Sequence, residues 1–248
     1  GSDVISYFYA PGGVLLNLGT NASGGSWAAD DIIDGFESAI GSDVGNDTLY
    51  GSAGANTLET GGGNDAAYDL AGDDRVDLGT GNDFILSGGG NDTYIGGAGI
   101  DALSYFNSAS GVEVDLGSGY AAGGLAAGDS LSGFERVYGS GGGHDFLRGS
   151  TGDNFIRGYG GNDIVYDRGG NDLVDLGDGN DFLLAGGGAD TYAGGNGVDA
   201  LSYYHATAGV LVDLLSNAVA GSWAVDDVLS GFERVYGSNT GADTLRGT

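Results

Sequence analysis

The sequence predicts an all-β fold, a solenoid of short strands and tight turns, because three features recur together. Aspartate returns every nine residues, a glycine stands two residues before each aspartate, and an apolar residue stands two residues after it. Glycine reaches the backbone conformations that tight turns need, and one apolar position between polar neighbours suits a short strand with its middle side chain inward. The two runs are Asp65, Asp74, Asp83, Asp92 and Asp101, and Asp163, Asp172, Asp181, Asp190 and Asp199.

Two nested repeats organise the chain. Fifteen nonapeptides occupy 42–104, 140–202 and 238–246, and their sixth position is Asp except at Asn56 and Asn154. A period of 98 residues relates the segments, so the chain holds about two and a half copies of one unit, which indicates an array and not independent globular domains. The expected segments are a partial spacer at 1–41, a first block at 42–104, a spacer at 105–139, a second block at 140–202, a spacer at 203–237 and the start of a third block at 238–248.

The nonapeptide length predicts how the strands stack. A three-residue strand is far too short to be stable alone, so we expect two nonapeptides to form one coil of 18 residues, with a strand on each side and a turn at each end. Turns then stack on turns two repeats away, which places Asp65 beside Asp83. The spacers are expected to continue the solenoid with longer turns, since Val112 and Val114 alternate as in a strand.

Composition excludes several classes of partner. The formal charge is −28, from 35 acidic residues against seven basic ones, so the chain would repel itself unless something neutralised it. The basic stripe that nucleic-acid binding needs is missing, and there is no apolar run near the roughly 20 residues of a membrane-spanning helix. The sequence also contains no cysteine, so disulfides and thiol chemistry are excluded.

The phased aspartates predict calcium sites. Carboxylates stacked about 5 Å apart, the spacing of strands, repel one another without a cation. Calcium accepts carboxylate and backbone carbonyl oxygens in a flexible shell, magnesium requires a tighter octahedron, and soft metals prefer the Cys and His that are absent or scarce here. The predicted side-chain ligands are Asp47, Asn56, Asp65, Asp74, Asp83, Asp92, Asp101, Asp145, Asn154, Asp163, Asp172, Asp181, Asp190, Asp199 and Asp243.

The pattern G-G-x-G-x-D-x-U-x resembles the RTX, or haemolysin-type, calcium-binding nonapeptide, and the likeness covers all fifteen repeats. The resemblance implies a right-handed parallel β-roll in which each ion takes two carbonyls and one Asp from each of two turns 18 residues apart. Carried over to this chain, one site would use the carbonyls of Gly61 and Gly63 with Asp65, and those of Leu78 and Thr80 with Asp83.

Pairs of sixth-position residues at this separation predict roughly ten ions, whose charge would offset most of the −28. The sites Asn56/Asp74 and Asn154/Asp172 should be weaker, because an amide oxygen ligates without bringing charge. Each block should therefore fill with its second turn last. The sequence leaves open whether the spacer acids bind further ions or only cap and solvate turns; these acids are Asp31, Asp129, Asp227, Glu37, Glu135 and Glu233.

One outward face of the predicted roll carries an aromatic and aliphatic row that is unusual for a lone monomer. We expect this face to be covered by a spacer, by another coil array or by a partner chain, which includes self-association. The residues are Tyr50, Tyr68, Phe84, Leu86, Phe146, Ile164, Tyr166, Phe182 and Leu184.

The function expected from the resemblance is a calcium-dependent folding module of a large bacterial protein that leaves the cell by type I secretion and acts outside it or at its surface. The alternatives are an adhesive or surface-layer element, and the non-catalytic part of an exoenzyme. The sequence contains neither H-E-x-x-H nor G-x-S-x-G, so we expect no catalysis by this chain. Its start does not resemble a signal peptide and its end falls inside a repeat, so we expect a piece of a longer protein.

Overall fold

The structure, a computed structural model, describes residues 1–247, and it consists almost entirely of short β-strands. Two 3-10 helices occupy Gly124–Ala126 and Ser222–Ala224. Within residues 1–247, no helix has the length and hydropathy needed to cross a bilayer. The strands are β1 (Val4–Ser6), β2 (Val14–Asn17), β3 (Ala22–Gly25), β4 (Ser38–Ile40), β5 (Thr48–Tyr50), β6 (Thr57–Glu59), β7 (Ala66–Tyr68), β8 (Arg75–Asp77), β9 (Thr80–Gly81), β10 (Phe84–Leu86), β11 (Thr93–Ile95), β12 (Ala98–Gly99), β13 (Ala102–Ser104), β14 (Glu113–Asp115), β15 (Tyr120–Ala122), β16 (Ser130–Ser132), β17 (Arg136–Tyr138), β18 (Phe146–Arg148), β19 (Phe155–Arg157), β20 (Ile164–Tyr166), β21 (Leu173–Gly179), β22 (Phe182–Leu184), β23 (Thr191–Gly197), β24 (Ala200–Ser202), β25 (Leu211–Asp213), β26 (Ala218–Ala220), β27 (Val228–Ser230), β28 (Arg234–Tyr236) and β29 (Thr244–Arg246).

The first of two compact units comprises residues 1–107 and 119–136. Its alternate nonapeptides fall into two different parallel sheets. β5, β7 and β10 pair in one sheet, where Leu49 lies opposite Ala67 and Ala67 opposite Ile85. β6, β8 and β11 pair in the other, where Val76 lies opposite Tyr94. Each register step is 18 residues, which confirms the predicted parallel coil.

The second unit comprises residues 108–118 and the chain from Val137 onward, and it repeats this plan. One parallel sheet joins β18, β20, β22 and β24. Another joins β19, β21 and β23. With almost no helix and parallel sheets in both units, the fold is the all-β parallel β-roll that the sequence predicts.

In the first and second blocks the core takes one apolar side chain per strand, from the eighth position of each nonapeptide. Fully burying one such side chain contributes about 1.5–3 kcal/mol, so the roll is held by many small, regularly spaced increments. All of these residues are 0% exposed: Leu49, Leu58, Ala67, Val76, Ile85, Tyr94, Leu103, Leu147, Ile156, Val165, Val174, Leu183, Tyr192 and Leu201.

The spacers continue the sheets, as expected, but with a longer step. In the first unit β16 pairs in parallel with β11, so Leu131 lies opposite Tyr94, 37 residues away. In the second unit β27 pairs with β23 in the same way, and β14 pairs with β18. The spacers also add antiparallel pairs, β2 with β3 and β25 with β26. The extra residues form these reversals before the chain returns to the parallel stack.

Close stacking of turns requires glycine at particular positions. Gly81 has φ +143, and a Cβ there would lie 1.5 Å from the carbonyl oxygen of Gly63 in the neighbouring turn. Gly179 has φ +153 and meets the carbonyl oxygen of Gly161 at the same distance. An L-residue at either place would be strained in backbone and would collide with a neighbouring peptide.

The prediction of a single apolar face is wrong in one respect: its residues fall in two different sheets, one that holds β5, β7 and β10 and one that holds β18, β20 and β22, since the spacer at 105–139 adds strands to both sheets. The side chains are mostly half-buried, because neighbours within each sheet cover one another. The rings of Tyr50 and Tyr68 stack with centroids 4.5 Å apart, and the guanidinium of Arg148 lies 3.8 Å from the centroid of the Phe146 ring. Ile164 is the exception, at 46% exposed. Cover by a partner chain stays a prediction.

Candidate metal centres

The sixth-position residues form two stacks in each block, one from each set of alternate nonapeptides, and we call these stacks together the aspartate ladder. The backbone N–H of each member donates to Oδ1 of the member 18 residues later: Asp65 to Asp83 at 2.7 Å, and Asp83 to Asp101 at 2.9 Å. In the second unit Asp163 donates to Asp181 at 2.7 Å. This bond fixes each carboxylate over the next turn, so the coil period brings the predicted ligands together in pairs.

The second oxygen, Oδ2, of most ladder aspartates is buried without any hydrogen-bond donor among the described residues. A buried acceptor with no partner costs about 1–3 kcal/mol, and an ionised one costs more. Native proteins seldom leave such groups without a partner or an ion. The aspartates concerned are Asp65, Asp74, Asp83, Asp101, Asp163, Asp172, Asp181 and Asp199.

Burial also opposes ionisation of the ladder. Loss of solvation raises the pKa of Asp83 and of Asp163 to about 7, and the neighbouring ladder carboxylates raise it further, against the effect of the backbone hydrogen bond. Loss of solvation, together with the nearby carboxylates of Asp167 and Asp190, raises the pKa of Asp172 to about 8. Either protonation or a neighbouring cation would relieve this cost.

The first coil of each block differs from the later ones. Both oxygens of Asp47 accept backbone N–H groups, Oδ1 from Val14 and Oδ2 from Ser42, each at 2.6 Å. Asp145 is held in the same way by the N–H groups of Val112 and Ser140, each at 2.8 Å. These two ladder positions are already closed by protein donors.

The two asparagines share this closed state. Asn56 Oδ1 accepts from the N–H of Ser52 at 2.6 Å, and its Nδ2 donates to the carbonyl of Glu37 at 3.1 Å. Asn154 Oδ1 accepts from the N–H of Ser150 at 2.6 Å. At the start of the third block, Asp243 Oδ1 accepts from the N–H of Val210 at 3.0 Å, and the backbone donors lower the pKa of Asp243.

Spacer acids occupy the next ladder position at the far end of each block. Asp129 Oδ1 accepts from the N–H of Asp92, and Asp227 Oδ1 from that of Asp190, both at 2.9 Å. Glu135 takes the corresponding role for Asp101 at 2.9 Å. Of the two alternatives for these acids, capping is thus visible in the hydrogen bonds. Asp31 instead accepts from the hydroxyl of Tyr7 at 2.5 Å, and Glu37 and Glu233 accept the N–H groups of Asp3 and Asp199.

The carbonyls named for the Asp65/Asp83 site lie in adjacent turns, but three of the four already accept a hydrogen bond. Gly61 O accepts from Thr80 N at 2.8 Å, and Thr80 O accepts from Gly63 N at 3.0 Å. Leu78 O accepts from the Thr60 hydroxyl at 2.5 Å. Each carbonyl has a second lone pair to offer, so the four-carbonyl scheme stays a prediction.

Comparison with known families gives one result. The model of the RTX calcium-binding nonapeptide repeat matches four times, over residues 42–67, 68–103, 139–172 and 166–201, which together span half of the chain. The chain belongs to the RTX family. It is therefore a calcium-binding structural repeat module. Comparison with curated proteins gave no significant match.

The candidate ligand atoms of the RTX turns fit calcium. They are all oxygens, and the unpartnered Oδ2 atoms are the carboxylate ligands that a hard divalent ion prefers. A bound Ca²⁺ would supply the positive charge that neutralises paired ladder carboxylates. The protein's part is to hold those carboxylates one coil apart and to keep water away from them.

Two metal-ligating candidates were missed by the sequence analysis. Asp69 lies in a group with Asp74 and Asp92, with one oxygen of each within 4.8 Å of the others, and Asp167 lies in the same relation to its own neighbours Asp172 and Asp190. Both occupy the first position of an RTX nonapeptide, whereas the repeated aspartate of the pattern occupies the sixth. The detectable signal was an acid at a position otherwise held by uncharged residues, repeated 98 residues later.

Proposed function

We propose that this RTX chain is a non-catalytic module whose folding is driven by calcium, within a larger protein that is exported by type I secretion and works outside the cell or at its surface. The observation that supports the proposal best is the set of buried, unpartnered Oδ2 atoms along the ladder. A folded, calcium-free chain would have to bury these acceptors unpaired or protonate them. Either requirement weakens the fold at neutral pH.

Calcium supplies folding free energy by binding only the folded ladder. An ion present at 100 times its dissociation constant stabilises by about 2.7 kcal/mol per site. We propose roughly ten ions, one for each sixth-position pair, with those that include first-coil residues the weakest. The sum of several later-coil sites exceeds the total stability of an ordinary domain, about 5–15 kcal/mol.

Export follows from the same charge balance. With a formal charge of −28, the calcium-free chain repels itself and stays expanded, which suits passage through a narrow channel. Outside the cell, where calcium is abundant, ion binding and folding occur together. The support for this step is RTX membership and the charge.

A second candidate, an adhesive or self-associating surface, is favoured by one recess in the second unit. It has a volume of about 390 Å³ and is lined by Phe182, Leu184, Ser202, Tyr204 and Tyr236. Tyr204 is 52% exposed and Tyr236 is 50% exposed. Large apolar surfaces of this kind mark contact sites when they are contiguous.

Circular dichroism during a calcium titration, at pH 7.5 and starting from chelated protein, tests the proposal. We expect a disordered spectrum in chelator and a steep gain of β signal as calcium is added. Magnesium at the same concentrations is the control and should give little gain. A full β spectrum in chelator at this pH would overturn calcium-driven folding.

Sedimentation velocity at saturating calcium addresses the second candidate. Dimers that revert to monomers on Tyr204→Asp, a change outside the ladder, would support self-association through the recess. If the protein stays monomeric at all concentrations up to about 0.1 mM, a range in which weak dimers form, self-association through the recess is excluded.

A further inference from the structure

Each unit buries a group of three carboxylates near the end of its nonapeptide array. In the first unit these are Asp69, Asp74 and Asp92, which are 0%, 3% and 1% exposed. One oxygen of each lies within 4.8 Å of the others. Every ion pair found among residues 1–247 involves an arginine elsewhere, so no cationic side chain balances this group.

The hydrogen bonds around the group leave some carboxylate oxygens without a donor. Asp69 accepts from the N–H of Gly88 and from the hydroxyl of Tyr94. The same hydroxyl lies 2.9 Å from Asp92 Oδ2, yet one O–H donates fully to only one acceptor at a time. Asp74 Oδ2 has no partner at all. The unpartnered oxygen thus belongs to a residue that is 97% buried and that lies within a group of acids. Such an environment suits a bound cation.

The second unit shows the same arrangement. Asp167, Asp172 and Asp190 are 0%, 3% and 1% exposed and lie within the same mutual distance. Asp172 Oδ2 is unpartnered, and the hydroxyl of Tyr192 lies 2.7 Å from Asp190 Oδ2. The three acids, the unpartnered Oδ2 and the tyrosine hydroxyl thus recur together at a separation of 98 residues, which argues for a role beyond turn geometry.

Other later-coil pairs lack the third carboxylate. The turns of Asp65 and Asp83 begin with Thr60 and Leu78, which bring no charge. Calcium affinity increases with the number of charged ligands and with the rigidity of the site. The group around Asp69 has one carboxylate more than an ordinary pair, and its neighbours fix it with hydrogen bonds.

We propose that Asp69 and Asp167 each give a third carboxylate to a single Ca²⁺ ion, so that the ions held by Asp74/Asp92 and Asp172/Asp190 are the tightest in the chain and bind first. This deepens the proposed calcium-driven folding and rests on it. Filling would begin where each array meets its spacer, since Asp92 donates its N–H to the spacer residue Asp129. It would then spread back toward the first coil.

Isothermal titration calorimetry of the full chain with Ca²⁺ tests the order and the number. For the wild type we expect a tightest class of two ions. Asp69→Asn should remove one of them, Asp167→Asn the other, and the double variant both, with each lost ion weakened at least tenfold. Asparagine keeps an oxygen for the N–H of Gly88, so it removes charge more than geometry.

Asp73→Asn is the matched control. Asp73 is an exposed acid in the same turn, and it accepts the N–H of Asn91 and lies outside the group. Its loss should leave two tight ions, with affinities changed less than threefold. Circular dichroism at saturating calcium should show the same β spectrum for all variants.

A tight class of two ions that persists in the double variant would overturn the inference, and so would an equal loss in Asp73→Asn. If Asp69→Asn fails to reach the wild-type spectrum, Asp167→Asn gives an independent measurement in the other unit. Wild-type protein that binds calcium without gaining β structure would instead contradict calcium-driven folding, and the count of tight ions would still decide the role of Asp69.

Discussion

The first coil of each block and the later coils carry the same nonapeptide pattern but differ in what holds their turns. Asp47 has a protein N–H group on each carboxylate oxygen. Asp83, two coils later, has one such bond and a second oxygen that is buried and unpartnered. The first coil is closed by hydrogen bonds, and we propose that an ion completes the later coils.

The two kinds of coil differ because the hydrogen bonds between strands use different backbone amides in each. In a later coil the amide of position one is used between coils: Thr60 N–H donates to Asp77 O at 3.0 Å. At the start of the block the equivalent amide of Ser42 turns back to its own aspartate instead, and the spacer amide of Val14 takes the other oxygen. The hydrogen bonds that reach the sixth-position side chain of an RTX nonapeptide therefore depend on its neighbours as well as on its own sequence.

Acidification should have the largest effect, because it acts on every later coil at once. Burial raises the pKa of folded Asp83 and Asp163 from 3.8 to about 7. The calcium-free fold then binds protons more tightly than the unfolded chain, so this stability is complete below about pH 4 and is lost as the pH rises through about 7.

The measurement is thermal unfolding in chelator between pH 4.5 and pH 8. We expect a folded, calcium-independent protein in mild acid and a calcium-dependent one at pH 8, because bound calcium requires ionised carboxylates. Calcium-free stability that falls on acidification would show that the ladder carboxylates are already satisfied.

Glycine substitutions should separate crowded turn positions from open ones by several kcal/mol, and the crowded position is shared by first and later coils. A Cβ at Gly81, the fourth position of its nonapeptide, would lie 1.5 Å from Gly63 O, whereas a Cβ at Gly142, the third position of its nonapeptide, meets nothing within 4 Å. We expect Gly81→Ala to prevent folding or to cost more than about 4 kcal/mol, and Gly142→Ala to stay within about 0.5 kcal/mol. Calcium-saturated urea unfolding measures both, and equal losses would mean that close stacking at the fourth position does not limit the fold.

Removal of one carboxylate charge should have different effects on calcium binding and stability in the first coil and in the later coils. Asp83→Asn keeps an oxygen for the N–H of Asp65 but removes charge from two pairs, so we expect at least a tenfold rise in the calcium midpoint and a more stable calcium-free form. Asp47→Asn should cost about 1–3 kcal/mol with or without calcium, because one N–H group loses its acceptor. Calcium midpoints and chelated unfolding curves at pH 6 provide the readouts; identical behaviour of the two variants would remove the distinction.

Asn56→Asp should give the smallest gain in calcium binding. The new carboxylate would face the carbonyl of Glu37 where Asn56 now donates, so we expect a loss of about 1–2 kcal/mol in the calcium-free form. The calcium midpoint should improve less than tenfold, as measured by the same titration. A much larger improvement would indicate that charge alone limits this site and that first-coil closure is unimportant.

Most of the fold could be predicted because it depends on local periodicity. The positions of Leu49 and Ala67 follow from the nonapeptide period and the length of one coil, and both lie inward as expected. The closed state of Asp47 could not be predicted in this way. It depends on an amide 33 residues earlier in a spacer, where no repeat specifies the position.

The sequence likewise predicts only part of the candidate site. The pairing of Asp65 with Asp83 is a direct consequence of stacking. Asp69 was missed because its nearness to Asp92 depends on the inward direction of a side chain at the edge of the turn, which Tyr94 fixes from the next coil. The direction of a side chain at the edge of a turn follows from packing, which the nonapeptide period does not specify.

Anomalous diffraction from crystals grown in calcium tests the central claim most directly, since it locates each ion by its own scattering. We predict calcium peaks between Asp65 and Asp83 and between Asp163 and Asp181, at about 2.3–2.6 Å from their Oδ2 atoms. Peaks at Asp47 and Asp145 should be absent or of low occupancy. Later coils that hold only water, while the first coils hold calcium, would contradict the claim.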